Sequence, residues 1–286
     1  MMQTRIIATA IVLILSAVTS RADTSSPARF RWQKGDVQSY QVEQVTNATS
    51  VVRVADTEEF TTIPIVTKLN LVKQWTVLDV DAAGVATLQL MLTQLRFESR
   101  THDALMNVFD STKADPNSVE GKSMMEHVNK PIRVVRIDTL GKLVEVKENK
   151  YGSASQIEAD LPFRIVLPEM AWAIGTTWER GYVIKMDPPQ GTGETYEATQ
   201  KYTLKELTGP LAVMTVSTTL KAPPLTGGEL IPLCPLQPEG ELSFDTATGR
   251  FERARLKVAK EVPNHQGVGT KYTYKMTYSE DRVETK

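Results

Sequence analysis

The stretch "RIDTLGKLVEV", Arg136–Val146, has a near copy in "SFDTATGRFER", Ser243–Arg253. Each runs Asp-Thr, then a glycine, a basic residue and an apolar residue. An Asp carboxylate can cap the backbone of a turn, and a Gly can take the left-handed conformation of a bulge-closed loop. Asp138 with Gly141, and Asp245 with Gly249, therefore read as the structural turns of two β-hairpins, the second one residue longer. Beyond each turn a strand resumes, carrying Val144 and Val146 in one case and Ala254, Leu256 and Val258 in the other.

Strand alternation spreads outward from these turns. Ala86, Leu88, Leu90 and Leu92 share one face of a period-two segment, as do Ala212, Met214, Val216 and Leu220. Tyr272, Tyr274, Met276 and Tyr278 form a third such stripe near the end. A helix would scatter each set around its circumference. Upstream, "FRWQKGD" pairs with "GTTWERGY" if Trp32 and Gly35 match Trp178 and Gly181; an alternative alignment sets Gly35 against Gly175. Two long strands around a tight turn follow in both halves, with Trp75 and Tyr202 at matching points. The same features in the same order predict an internal duplication, or two similar β-modules. The expected layout is a first module over 23–150, a helical connector over 151–172 and a second module over 173–286.

Several strands run to roughly a dozen residues against a usual five or six, and long antiparallel strands twist and coil. The fold class expected is mainly β: two antiparallel modules of long curved strands, half-barrel or barrel-like, with two short helices. One helix starts at Ser153 or Ser155, and the other lies in "SVEGKSMMEHVNKP". The Pro-rich Lys221–Gly240 stretch has no clear period and reads as loop or edge. Matched strands should turn matched faces to one apolar concave side, covered by the Ser153–Leu161 helix and the Pro-rich loop, with any ligand beneath a cover.

The chain opens with Arg5, an apolar run from Ile6 to Val18, then Ser20 and Ala22 at the −3 and −1 positions of a small-residue cleavage site. This is the pattern of a signal peptide over residues 1–22, too short for a permanent span, so a periplasmic or extracellular protein without a stable membrane span is expected. Cleavage would leave 31 basic against 34 acidic residues, a net charge near −3. That offers no footprint for nucleic acid. Cys234 is the single cysteine and cannot form an internal disulfide.

Catalytic constellations are missing from the sequence. His102, His127 and His265 lie in separate segments without ligand spacing, and no nucleophile-elbow, zinc-protease or P-loop pattern occurs. Asp79–Asp81 reads as a turn starter. Asp110, Asp115 and Glu120 lack the alternation of a calcium loop, and Gly191 and Gly193 lack the strand-to-helix context of a phosphate loop. Asn47-Ala48-Thr49 is a glycosylation sequon only in a host that glycosylates. No catalytic residue, metal ligand or cofactor is assigned.

Most of the chain after the leader resembles a family of exported bacterial proteins of unknown function. The likeness rests on "FRWQKGDVQSYQVEQ", "VFDSTK", "RIDTLGKLVEVK", "LPEMAWAIGTTWE" and "GELSFDTATGRFERARLKV". It implies export and a β-rich fold, and supplies neither an activity nor site residues. Two function classes stay open. One is a non-catalytic envelope or secreted protein binding a partner, such as an apolar small molecule, a lipid or an envelope protein. The other is a hydrolase-like periplasmic enzyme with an unrecognised carboxylate site. The motif search favours the first.

Overall fold

The computed structural model describes residues 27–113, 119–151, 154–159, 161–188 and 190–284. The leader, its cleavage site and Ser153 lie outside them. The first half contains β1 (Val37–Arg53), β2 (Phe60–Val80), β3 (Ala86–Thr101), β4 (Asn107–Asp110), α1 (Val119–Met125), β5 (Pro131–Ile137) and β6 (Leu143–Asn149). After α2 (Ala154–Ala159) come β7 (Thr177–Met186), β8 (Glu194–Thr208), β9 (Leu211–Leu220) and α3 (Gly227–Leu233). A 3-10 turn (Cys234–Leu236), β10 (Glu239–Asp245), β11 (Arg250–Pro263) and β12 (Lys271–Val283) finish the chain.

All twelve strands join one antiparallel sheet in the order β6-β5-β3-β2-β1-β12-β11-β10-β9-β8-β7, with β4 beside β3. The sheet is open, with β6 and β7 as its edges. The chain starts in the middle, meanders to one edge, crosses to the other and meanders back until β12 pairs β1. A 21-residue β2 and a 17-residue β1 give the coiling expected of long strands. One core cluster gathers residues from β1, β2, β3 and β5 together with others from β8 to β12, which a half-barrel-like curvature permits.

Backbone hydrogen bonds repeat between the halves. Gly35 N donates to Val77 O at 2.8 Å while Val77 N donates to Asp36 O at 2.9 Å. Gly175 N donates to Leu204 O at 2.8 Å while Leu204 N donates to Thr176 O at 2.9 Å. Gly35 and Gly175 thus make matching backbone bonds, whereas Gly181 lies inside β7 opposite Thr199. Gln38 pairs Trp75, and Trp178 pairs Tyr202. Bulges recur too, at Val77/Asp79 and Leu204/Glu206, then at Arg136/Ile137 and Ser243/Phe244. Ala86, Leu88, Leu90, Ala212, Met214 and Val216 all enter the same core. Ala254, Leu256 and Val258 are buried as well, whereas Val144 is exposed because bulges flanking Val135 and Arg136 shift the phase of β6.

The two quoted stretches form the expected turns. Asp138 Oδ1 accepts from Leu140 N and Lys142 N, each at 2.8 Å, and Gly141 has φ 84°. Asp245 Oδ1 accepts from Ala247 N and Thr248 N at 2.8 and 3.0 Å, and Gly249 has φ 67°. Both turns also sit against other chain. A Cβ on Gly141 would meet Ile165 O and the Phe30 ring, each at 2.7 Å; one on Gly249 would meet Arg29 O and Arg31 N, each at 2.8 Å. Phe30 N donates to Thr139 O and Arg31 N to Gly249 O, so residues 28–32 stitch the two hairpins together.

The helix count differs from the sequence reading. Among the described residues three short helices and a 3-10 turn form, because the Pro-rich stretch builds α3 where loop or edge was expected. Thr226 caps it, its hydroxyl accepting from Glu229 N at 3.4 Å while Glu229 reaches back to that hydroxyl at 2.5 Å. This Thr-x-x-Glu box supplies a helix start that the surrounding prolines concealed.

Candidate ligand-binding site

The connector after α2 is an irregular segment that opens with a turn at Leu161–Arg164, and its Leu161, Phe163, Ile165, Val166, Leu167 and Trp172 are buried. At one end of the half-barrel Phe163 sits among Phe30, Trp32, Trp75, Tyr40 and Phe251, with ring centroids 5.4, 5.5, 5.8, 6.0 and 6.3 Å away. Aromatic burial on this scale makes a solid plug.

Beside the plug the packing gives way to a cavity of about 280 Å³. The sheet supplies Gln44 from β1, Val216 from β9, Leu256 from β11 and Tyr274, Met276 and Tyr278 from β12. Ala159 and Leu161 close one side, and Pro235, Leu236 and Pro238 close another. Both segments expected as covers therefore line the same space. Arg133 of β5 and Arg164 of the connector add two guanidiniums to its wall.

Alternation explains which side chains reach this space. Gln44, Met276 and Tyr278 lie on the sheet face shared with buried Val42 and Tyr40. Arg164 follows Phe163 immediately and has φ 56°, so the ring enters the plug while the next side chain turns toward the cavity. A non-glycine residue in the left-handed region is uncommon and costs about 1 kcal/mol or more.

A charged cluster underlies the cavity's polar side. Glu280 is completely buried, with Lys73 Nζ at 2.6 Å from Oε1 and the Tyr278 hydroxyl donating to Oε2 at 2.5 Å. Arg164 Nε lies 3.7 Å from Oε2, and its guanidinium stands 4.1 Å over the Tyr278 ring. Burial pulls the Lys73 ammonium's pKa down, but attraction to Glu280 and Tyr278 outweighs that and leaves it raised. Burial, with help from Glu280, also raises the Tyr40 phenol. These groups hold one another and anchor the connector to β2 and β12.

The residues considered for chemistry fall elsewhere. His102 Nδ1 lies 2.8 Å from Asp103 Oδ2 at the β3–β4 turn, His127 packs edge-on to Tyr151, and His265 shares a hydrogen bond with Ser50 at 3.0 Å. Among the described residues no group of three or more His, Cys, Asp or Glu side chains could hold a metal. Asp81 caps its turn through Ala83 N and Val85 N and accepts from Arg136, with backbone hydrogen bonds chief among the causes that lower its pKa. Lys34 takes Asp79. Asp110 accepts from Thr112 and Arg96. Asp115 and the Glu120 side chain lie outside the described residues. Gly193 has φ 106° in the β7–β8 turn that also holds Gly191, and Asn47 is exposed within β1. Cys234 is buried, and burial raises its thiol's pKa.

Sequence reading missed Lys73, Arg133, Arg164 and Glu280. Glu280 interrupts the face of the Tyr272–Tyr278 stripe, and Lys73 stands two residues before Trp75 on the same face. An acid and a base at core positions of β12 and β2, the two long strands that flank β1, were the available signal. Arg133 and Arg164 precede or follow no pattern that marks them.

No protein-family model matches the chain, and no curated protein matches it in sequence. Among solved structures, lipovitellin, in a structure of its lipid–protein interactions, aligns with a TM-score of 0.39 at 9% identity. That alignment covers 89% of this chain and 26% of the other, so this chain spans about a quarter of the lipovitellin chain's length. DynF from the dynemicin biosynthesis pathway of Micromonospora chersina aligns with a TM-score of 0.20 at 9% identity, covering 95% and 92% of the two chains. Among the described residues no helix is long and apolar enough to cross a membrane.

Proposed function

We propose that the protein is an exported, non-catalytic binding protein that holds an apolar small molecule between its curved sheet and the two covers. The observation that carries this reading is the cavity of about 280 Å³ walled by Leu161, Val216, Leu236, Leu256 and Met276. Ligand pockets start at about 300 Å³, so its size suits one short chain or a small ring system. The two halves of the sheet are two copies of one five-stranded module, joined by β12, and their shared concave face is the binding surface. The Ile6–Val18 leader pattern supports export.

A hydrolase draws less support. The described side chains lining the cavity include no carboxylate, and Glu280 beneath them is already held by Lys73 and Tyr278. Filling the cavity tests the binding reading. Leu236→Trp and Val216→Trp should each abolish the fluorescence enhancement of N-phenyl-1-naphthylamine while unfolding stays cooperative. Unchanged enhancement in both variants would sink it. For export, N-terminal sequencing of the protein recovered outside the cytoplasm should return Asp23, and a sequence beginning at Met1 would refute the leader.

A further inference from the structure

The long strands run between two rims. One rim holds the aromatic plug and the hairpin turns at Gly141 and Gly249. The other carries the β1–β2 turn, where Arg53 pairs Phe60, and the β3–β4 turn, which follows Thr101 opposite Ile65. The β11–β12 turn stands at the same rim, since Lys271 pairs both Val51 and Pro263. The loop before α3 joins them, with Gly227 packed against His265 of that turn.

Single exposed apolar residues are ordinary on a protein surface, but here the extreme cases gather at one end. Leu225, Leu105 and Val268 are the three most exposed large apolar side chains among the described residues, at 99%, 94% and 82%. Leu225 immediately precedes the Thr226 cap of α3, Leu105 lies in the β3–β4 turn and Val268 in the β11–β12 turn. Phe60 and Met106 are exposed beside them.

Two features say what covers these tips. They are spread across the sheet, because β3, β2, β1, β12 and β11 are consecutive strands about 4.8 Å apart. A protein interface packs a continuous core, whereas fluid hydrocarbon takes up separate projections without matching their shape. Charge beside the tips is also balanced internally. Arg53 holds Glu58 at 2.9 Å, Lys221 holds Glu197 at 2.7 Å and Lys271 holds Glu261 at 3.4 Å, with Asp56 and Glu59 exposed nearby. The rim therefore offers no basic patch to anionic lipid.

We propose that this rim docks on a zwitterionic phospholipid bilayer, with Leu105, Leu225 and Val268 inserted below the head groups. The sheet stays outside the bilayer, and the α3 cover begins at the inserted Leu225. None of the three side chains lines the cavity, so this docking surface and the carrier reading can fail separately.

Phosphatidylcholine vesicles and the full-length protein test this. Cys234 is buried, so an environment-sensitive fluorophore can be attached through Leu225→Cys, Val268→Cys or Ile174→Cys. Ile174 is 66% exposed beside Gly175, at the plug rim. Vesicles should shift emission to the blue at positions 225 and 268 and leave position 174 unchanged, a pattern that attachment through the leader alone would not give. Burying one such side chain is worth about tenfold or more in partitioning. Leu105→Asp and Leu225→Asp should therefore each weaken the blue shift's vesicle dependence by about that factor, and neither touches a packed position. Added salt or phosphatidylglycerol should change little. Blue shifts at all three positions, or at none, overturn the docking surface. A shift that needs phosphatidylglycerol and vanishes in salt overturns it as well. No shift with vesicles, together with self-association that Leu225→Asp abolishes, would assign the tips to a second copy of the chain instead.

Discussion

Four pairs of positions occupy the same places in the two halves of the sheet and are filled differently. Gln38 and Tyr40 on β1, with Lys73 and Trp75 on β2, correspond to Trp178 and Arg180 on β7, with Gln200 and Tyr202 on β8. In the first half Trp75 and Tyr40 meet Phe163, and Lys73 meets Glu280. In the second half Trp178 stacks on Tyr202, with centroids 5.5 Å apart and 13° between planes, and Arg180 bonds Gln200. Backbone bonds and bulges are shared; side-chain chemistry follows whatever lies on top. Where the connector dives into the sheet a small Gln38 leaves room for Phe163. At buried Val166, Trp178 holds the connector instead, donating from its indole to Val166 O at 2.7 Å.

The sharpest way to break this contrast is Phe163→Ala. Phe163 is buried among five rings of the plug, and truncation there should cost about 3–5 kcal/mol, read as a shift in the denaturant midpoint. A loss below about 1 kcal/mol would mean that the first half is not organised around this ring.

Lys73→Met compared with Gln200→Met comes next. Removing Lys73 strands the fully buried Glu280, an expected loss of about 3–5 kcal/mol. Gln200→Met removes its hydrogen bonds with Arg180, Tyr202 and Thr218 but leaves no fully buried charge behind, and should cost about 1–3 kcal/mol. Equal losses would refute the difference drawn between the halves. The pH dependence adds a second reading. Lys73's pKa is raised on folding, so its stabilisation is fully present below about pH 10 and fades only as pH climbs through the raised value. Lys73→Met should therefore lose less, relative to the unaltered protein, at strongly alkaline pH than at pH 8.

Gly141→Val and Gly249→Val probe the two repeated turns. Positive φ alone costs a β-branched residue about 1–3 kcal/mol, and each new Cβ would also collide with backbone atoms of residues 29–31 or 165. Both variants should lose more than that strain by itself, measured by thermal unfolding. Losses near 1 kcal/mol in both would remove the stitching of residues 28–32 between the hairpins from the account.

Much of this was written in the sequence and some was not. The hairpins were legible because Asp138, Gly141, Asp245 and Gly249 carry turn chemistry in four or five residues. Strand faces were legible because period-two burial is local, as Leu88 and Met214 demonstrate. α3 hid behind Pro232, Pro235 and Pro238, although Thr226 and Glu229 spelled its start. The cavity was not legible, since it is a gap between residues from β1, β5 and the connector, brought together only by the curvature of a long sheet. Arg164 is the extreme case: nothing beside it in sequence says that the chain turns left-handed there to place a guanidinium over Tyr278.

The smallest effects give the finest test of correspondence between the halves. Gly35 and Gly175 both have φ 89°, and a Cβ on either would meet nothing within 4 Å. Alanine at each would therefore report backbone strain alone, about 1 kcal/mol. Gly181, the match for Gly35 that the Trp-x-basic-Gly pattern gave, sits inside β7 with open space around its Cβ and without a positive φ. Alanine there removes a flexible residue from a strand and should be neutral or slightly stabilising, by about 0.5 kcal/mol. Gly35→Ala and Gly175→Ala should thus agree with each other and differ from Gly181→Ala in sign, which denaturant titration of three single variants can resolve. Agreement between Gly35→Ala and Gly181→Ala instead would overturn the hydrogen-bond matching of Val77 with Leu204, and with it the reading of one module used twice.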